Sequence, residues 1–115
     1  MPYGDRDTVD RVLALPTWAV VGLSTNPRRA AHGVASFLQT RGRRIVPVHP
    51  HAETVHGEQG YAALDEIPFA VDVVDLFIRS ELARPVVDAA IANGATAIWM
   101  PVSYTHLTLP TKRIV

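Results

Sequence analysis

The segment that most constrains the fold is a short apolar run, residues 18–21, that ends in Gly22. A run of this kind, without polar alternation, is typical of a strand buried on both faces of a parallel sheet. Glycine at its end permits a tight turn, and residues 30–41 then carry the apolar spacing of a helix. The pattern therefore predicts a strand, a turn and a helix in direct succession.

The residues of this turn favour an anionic ligand. Free N–H groups and the positive end of the helix dipole meet at a helix N-terminus, so a glycine turn that leads into a helix is suited to phosphate. The alternative is an ordinary strand-to-helix turn with two solvated arginines. On the first interpretation, the residues expected to contact the ligand are Gly22, Ser24, Thr25, Asn26, Arg28 and Arg29.

Strands and helices alternate along the rest of the chain. Further strands are predicted at residues 44–48, 73–77 and 97–100. Further helices are predicted at residues 5–15 and from the region of Pro85 to the stop signal Asn93-Gly94. Pro47 removes a donor from the second strand, which predicts either irregular pairing at this residue or a position toward an edge of the sheet. This alternation predicts a single α/β domain with a parallel sheet, helices on both faces and right-handed crossovers.

Apolar spacing also predicts which helix faces pack on the sheet. The first large helix is expected to bury Val34, Phe37 and Leu38, with Gly33 allowing a close approach to the sheet or the ligand. Pro85 is expected in the first turn of the second large helix. The apolar face of that helix is predicted to consist of Val86, Val87, Ala90 and Ile91.

Composition excludes several classes of function. The 115-residue chain has a formal net charge of zero, which gives no reason to expect nucleic acid or an anionic membrane as partner. No apolar run approaches the roughly 20 residues that span a bilayer, and the polar N-terminus is unlike a signal peptide. The absence of cysteine excludes disulfides and thiolate metal sites. We expect a cytoplasmic protein with a small-molecule nucleotide ligand; no protein partner is specified.

The type of nucleotide follows from what the turn lacks. A dinucleotide fingerprint needs G-x-G-x-x-G and an acidic residue at the end of the second strand. Here Ser24 replaces the second glycine, and His49 and Pro50 follow the second strand without a carboxylate. The arginines of the turn, together with His49, favour a nucleotide that carries an additional phosphate, such as NADP or coenzyme A.

The third strand supplies a further candidate contact. Phe77 and Arg79 lie where this strand leaves the sheet, and ligands of open α/β sheets bind outside the carboxyl ends of the strands. Arg79 is therefore expected to meet a phosphate or the pantetheine arm, with a solvated arginine at a helix start as the alternative.

Other polar residues favour structural roles. His49, His51 and His56 have a spacing that permits a zinc site, but solvated loop histidines are the preferred interpretation. Asp75 lies within the third strand, where a buried carboxylate would need a partner. Ser24 lacks the pattern of a nucleophile elbow, so we expect no catalytic residue in the turn.

Taken together, these segments resemble a known family. The segments that carry the resemblance are residues 19–24 with Asn26 and Pro27, residues 46–50, Gly57, residues 71–77, residues 79–81, residues 94–95 and residues 98–100. They are similar to the small single-domain coenzyme A-binding proteins, which are Rossmann-like and related to the nucleotide-binding domain of the succinyl-CoA synthetase α subunit. The resemblance implies binding of coenzyme A or an acyl-CoA without established catalysis. An NAD(P)-binding oxidoreductase module and an acyl-CoA ligase fragment remain alternatives, so enzymatic activity stays open.

The end of the sequence does not continue the pattern. Residues 102–115 lack a helical period, and Pro110 interrupts their strand-like part. The resembling family continues at this point with another helix and strand. We therefore expect a C-terminally incomplete domain over residues 1–101 and a non-native tail over residues 102–115.

Overall fold

The structure, a computed structural model, describes residues 6–78 and 80–99. Arg79, Met100 and the predicted tail lie outside the described residues. The elements in chain order are α1 (Arg6–Leu13), β1 (Thr17–Val21), α2 (Ala30–Thr40), β2 (Arg44–Val48), a 3-10 helix (Leu64–Glu66), β3 (Val73–Leu76), α3 (Ser80–Asn93) and β4 (Ala97–Trp99).

The four described strands form one parallel sheet in the order β2-β1-β3-β4. Residues of α1 and α2 cover one face of the sheet, and residues of α3 and the 3-10 helix cover the other. The α/β fold with a parallel sheet and helices on both faces, predicted from the alternation of elements, is confirmed.

Strand β2 lies at an edge, as Pro47 predicts. Pro47 pairs in register with Val20 of β1, and on the outer side its carbonyl accepts a hydrogen bond from the Tyr61 N–H at 2.9 Å. The Tyr61 carbonyl in turn accepts the His49 N–H at 3.0 Å. These two bonds place the segment after Tyr61 beside the carboxyl end of β2.

The buried face of α2 differs from the prediction. Leu38 is buried as expected, but its neighbours in the core are Ala31 and Ala35, at helical spacings of i, i+4 and i+7. Phe37 is 54 % exposed and lies beneath the Arg41 guanidinium, 5.1 Å from the ring centre. The prediction followed the largest apolar residues, whereas the small side chains of alanine are the ones that face the sheet.

The buried face of α3 is shifted in the same way. Val87 and Ala90 are buried as predicted, and Ala83 completes the buried stripe. Ile91 is 39 % exposed, so its predicted place in the core is wrong. Pro85 lies inside the helix rather than in its first turn.

Asp75 is the buried acidic residue of the described chain. It is 3 % exposed and stands in register between Val20 of β1 and Trp99 of β4. Burial raises the pKa of Asp75 from 3.8 to about 7, because the low-dielectric interior disfavours the ionised form.

This pKa shift predicts a pH-dependent cost to stability. In the unfolded chain Asp75 ionises near pH 3.8, whereas in the fold it stays protonated to about pH 7. The unfolded state is therefore favoured progressively between these two values, by up to about 4 kcal/mol. The Asn side chain of Asp75→Asn carries no charge at any pH. The free energy of unfolding of this variant, relative to that of the parent, should therefore be higher at pH 8 than at pH 5.

Urea denaturation at pH 5 and pH 8 measures this difference. Asp88→Asn, at an exposed position of α3, controls for the loss of one negative charge. An Asp75→Asn effect of equal size at both pH values would show that the carboxylate is not desolvated in the fold.

Candidate functional site

A cavity of about 680 Å³ opens at the carboxyl ends of β1, β2 and β3. From β1 the sheet extends to β2 on one side and to β3 on the other, so its winding direction reverses at β1. In open α/β sheets such a reversal creates the crevice in which ligands bind. The residues that line it are Val21, Gly22, Ser24, Arg29, Val48, His49, Pro50, Ala62, Ala63, Leu64, Asp65, Phe77, Ile78, Leu82, Pro85, Val86 and Ala89.

Backbone hydrogen bonds of Val21 and Gly22 join the ends of the three strands. Its N–H donates to the Val48 carbonyl at 2.7 Å, and the Phe77 N–H donates to the Val21 carbonyl at 2.8 Å. Gly22 has a φ of +98°, and an added Cβ would stand 2.6 Å from the Phe77 carbonyl oxygen. This position therefore requires glycine for both its conformation and its space.

The inner part of the turn faces the cavity. Gly22, Ser24 and Arg29 line it, and Arg29 is the N-cap residue directly before α2. No side chain caps α2 at this end, and its first turn contains no acidic residue. The positive end of the helix dipole is thus not neutralised by the helix itself.

The outer part of the turn does not line the cavity. Asn26 accepts the Arg28 N–H on its Oδ1 at 3.0 Å and donates its own N–H to the Ser24 Oγ at 3.3 Å. Thr25 donates its N–H and its Oγ1 hydroxyl to Oε1 of Glu53, at 3.3 and 3.5 Å. In this structure the side chains of Thr25 and Asn26 therefore hold the shape of the turn.

The end of β2 contributes His49 and Pro50 to the cavity. The His49 Nδ1 accepts the N–H of His51 at 3.2 Å, and the two rings stack with centres 5.1 Å apart. Because an accepting Nδ1 carries no proton, this hydrogen bond assigns the proton of the neutral ring to Nε2. His49 can therefore donate from Nε2.

The third strand end and α3 form an apolar wall. Phe77 lies in the cavity lining, while Arg79 is outside the described residues. Sequence reasoning missed the α3 residues Leu82, Pro85, Val86 and Ala89. Their spacing of i, i+3, i+4 and i+7 is itself a helical stripe, next to the stripe that packs on the sheet. Two adjacent apolar stripes on α3 were the signal for a second, ligand-facing surface.

The segment 62–65 is the other lining element that the sequence did not predict. It is placed by the pairing of Tyr61 with β2, which local patterns do not encode. Asp65 of the 3-10 helix brings a carboxylate to the cavity.

His56 is not a solvated loop histidine. It is half-buried, its ring centre lies 4.2 Å from that of His32, and its Nε2 is 3.0 Å from the His32 carbonyl oxygen. Gln39 of α2 donates to the His56 carbonyl at 3.1 Å, so this loop is fastened to the helix.

Within the described ranges, no group of three or more acidic, histidine or cysteine side chains is arranged to hold a metal ion. None of the described helices has the length and apolar character needed to cross a bilayer.

The parallel sheet, the helices on both faces and the cavity at the strand ends define a Rossmann-like α/β domain. The family model for the CoA binding domain matches residues 16–109, and the chain belongs to this family. The family predicted from the segments that carry the resemblance is thereby confirmed.

A curated protein is also similar to this chain. The uncharacterized protein YneT of Bacillus subtilis is 36 % identical over 81 residues, which cover 70 % of this chain and 60 % of that protein. This chain thus spans less than two thirds of the length of YneT.

Solved structures also resemble this chain. A hypothetical protein from Pyrococcus horikoshii is 32 % identical, with a TM-score of 0.78 over 86 % of this chain and 72 % of its own. Prb, a PH1109 protein redesigned for binding, is 31 % identical, with a TM-score of 0.80 over 96 % of this chain and 77 % of its own. A Thermus thermophilus protein is 26 % identical, with a TM-score of 0.75 over 83 % of this chain and 73 % of its own.

The geometry of the turn predicts opposite effects for two glycine substitutions. Gly22→Ala places a Cβ against the Phe77 carbonyl at a positive φ, and should lower the free energy of unfolding by about 1–3 kcal/mol. Gly33 lies in α2, and an added Cβ would meet no atom within 4 Å outside its own helix, so the expected close approach of Gly33 to the sheet is wrong. Gly33→Ala should instead raise stability by about 0.5–1 kcal/mol.

Urea denaturation of both variants tests the pair. Equal effects from the two substitutions would contradict the close approach of β1 and β3 at Gly22.

Proposed function

We propose that the cavity binds coenzyme A or an acyl-CoA, with a phosphate group on the inner part of the turn. One observation carries the proposal: six residues expected from the sequence to contact the ligand come from three separate strand ends and line one cavity. They are Gly22, Ser24, Arg29, His49, Pro50 and Phe77. The proposal assigns binding and no catalytic step.

The polar side of the cavity is suited to phosphate. Among the described residues that line it, Arg29 is the one side chain with a permanent positive charge. The N-terminus of α2, which no side chain caps, directly follows Arg29. The helix dipole and the Arg29 guanidinium therefore favour an anion at the same place. The Nε2 of His49 adds a donor from the neighbouring strand.

The opposite side is suited to an apolar chain. Leu82 is 57 % exposed although it lines the cavity, together with Pro85, Val86 and Ala89 of the same helix. Burial of this surface by a ligand is favourable, at about 25 cal/mol per Å². A ligand with an anionic part and a flexible, less polar arm matches both walls, and coenzyme A has this form.

One observation favours a second candidate, an NAD(P)-binding module. The carboxylate of Asp65 lies in the cavity lining, and a carboxylate in this part of a Rossmann-like site binds free ribose hydroxyls. A nucleotide without a phosphate on that ribose would use Asp65, whereas the 3′-phosphate of coenzyme A must lie away from it.

Calorimetric titration separates these candidates. Coenzyme A, dephospho-coenzyme A and NADPH are each titrated into the protein under the same conditions. Tighter binding of coenzyme A than of NADPH is expected, and a gain from the 3′-phosphate identifies that group as recognised. Tighter binding of NADPH would favour the second candidate, and no heat with any of the three would contradict a nucleotide site.

The two adjacent arginines provide a matched pair for mutation. Arg29 lines the cavity and Arg28 does not. Arg29→Ala should weaken coenzyme A binding by about 1.5–3 kcal/mol, the value of a hydrogen bond to a charged group, while Arg28→Ala should change it little. The loss should decrease at high salt, because exposed charges are screened.

Calorimetry at low and high salt measures both effects. If Arg28→Ala weakens binding as much as Arg29→Ala does, the phosphate lies on the outer part of the turn instead.

A further inference from the structure

Glu53 places a negative charge on the turn that is proposed to bind phosphate. Its Oε1 accepts both the N–H and the hydroxyl of Thr25, at 3.3 and 3.5 Å. Thr25 follows Ser24, which lines the cavity. The Glu53 carboxylate is thus held next to the cavity by the kind of donors that a ligand phosphate would use.

The loop that carries Glu53 holds it in this position. Ala52 has a φ of +50° and donates its N–H to the His49 carbonyl at 2.7 Å, which turns the chain directly before Glu53. Gly60 is buried, and an added Cβ there would overlap the Glu53 carbonyl. Val55 and Glu58 exchange two backbone hydrogen bonds, at 3.0 and 2.9 Å, which close the loop. The Glu53 backbone is therefore anchored from both sides.

A carboxylate and a phosphate cannot use the same two donors of Thr25 together. At a separation of about 4 Å in water, two like charges repel by about 1 kcal/mol, and the repulsion is larger where solvent is partly excluded. An anionic ligand at the inner turn therefore either displaces Glu53 or binds against its charge.

We propose that Glu53 is a specificity-determining residue that competes with the ligand phosphate for the donors of Thr25. This inference rests on the proposed binding of coenzyme A at the same site. Thr25 lies outside the cavity lining while Glu53 occupies its donors. On binding, the phosphate at Ser24 extends to Thr25, one of its oxygens replaces the Glu53 carboxylate there, and the carboxylate moves into solvent. The competition lowers the affinity of every ligand that places a phosphate here, and so disfavours such a ligand relative to one without that phosphate.

Calorimetric titration with coenzyme A at low salt tests this competition. Glu53→Gln keeps the length of the side chain but removes its charge, and should tighten binding about three- to tenfold. Glu53→Asp keeps the charge but shortens the side chain by one methylene, which withdraws it from Thr25, and should tighten binding by a smaller factor. Glu58→Gln removes the same charge from the same loop and should stay within about twofold of the parent.

Each outcome bears on the competition. Unchanged binding by Glu53→Gln would show that the phosphate does not use the donors of Thr25. Weaker binding by both Glu53 variants would show that the carboxylate stabilises the binding-competent turn. Both results would overturn the competition and leave the proposed function standing. No binding by the parent or any variant would instead overturn the proposed function, and the competition with it.

Discussion

Two backbone hydrogen bonds at the end of β1 hold the site together. One joins Gly22 to Val48 of β2, and the other joins Phe77, directly after β3, to Val21. These bonds fix the three strand ends around Gly22, which has no side chain. The cavity opens at this residue. A bulkier residue at Gly22 would push β3 away from β1 before it affected any ligand.

The fold could be predicted from local patterns to a large extent. The positions of the strands follow from short apolar runs, and the edge position of β2 follows from Pro47, because proline lacks the N–H that a central strand needs. The helix faces were predicted less well, because exposed Phe37 and Ile91 are larger than the alanines that actually pack on the sheet. Apolar size alone does not show which stripe of a helix approaches a sheet closely.

The part of the candidate site that lies at the ends of strands could be predicted from the sequence. Gly22, His49 and Phe77 follow three different strands, and a parallel sheet brings such positions to one edge. Asp65 was not predictable in this way, because a long-range pairing between Tyr61 and β2 places its segment. The sequence also did not show which residues of the turn line the cavity. Arg28 and Arg29 are adjacent and chemically identical, and only the backbone conformation decides that Arg29 lines it.

Charge and apolar surface are separated within the cavity, and this separation is the physical basis of the proposed ligand. Arg29 and the start of α2 lie on one side, while Leu82 and its neighbours on α3 lie on the other. Among the described residues that line the cavity, Arg29 is the one side chain with a permanent positive charge. Affinity should therefore depend on a ligand that contacts both sides, and inorganic phosphate alone should bind weakly.

Backbone amide chemical shifts, recorded by NMR during titration with coenzyme A, test the central claim most directly. The account predicts that the amides of Gly22, Ser24, His49 and Phe77 shift together and follow one saturation curve. Shifts confined to another surface, such as the exposed side of α2 around Phe37, would contradict it, as would a spectrum that coenzyme A leaves unchanged.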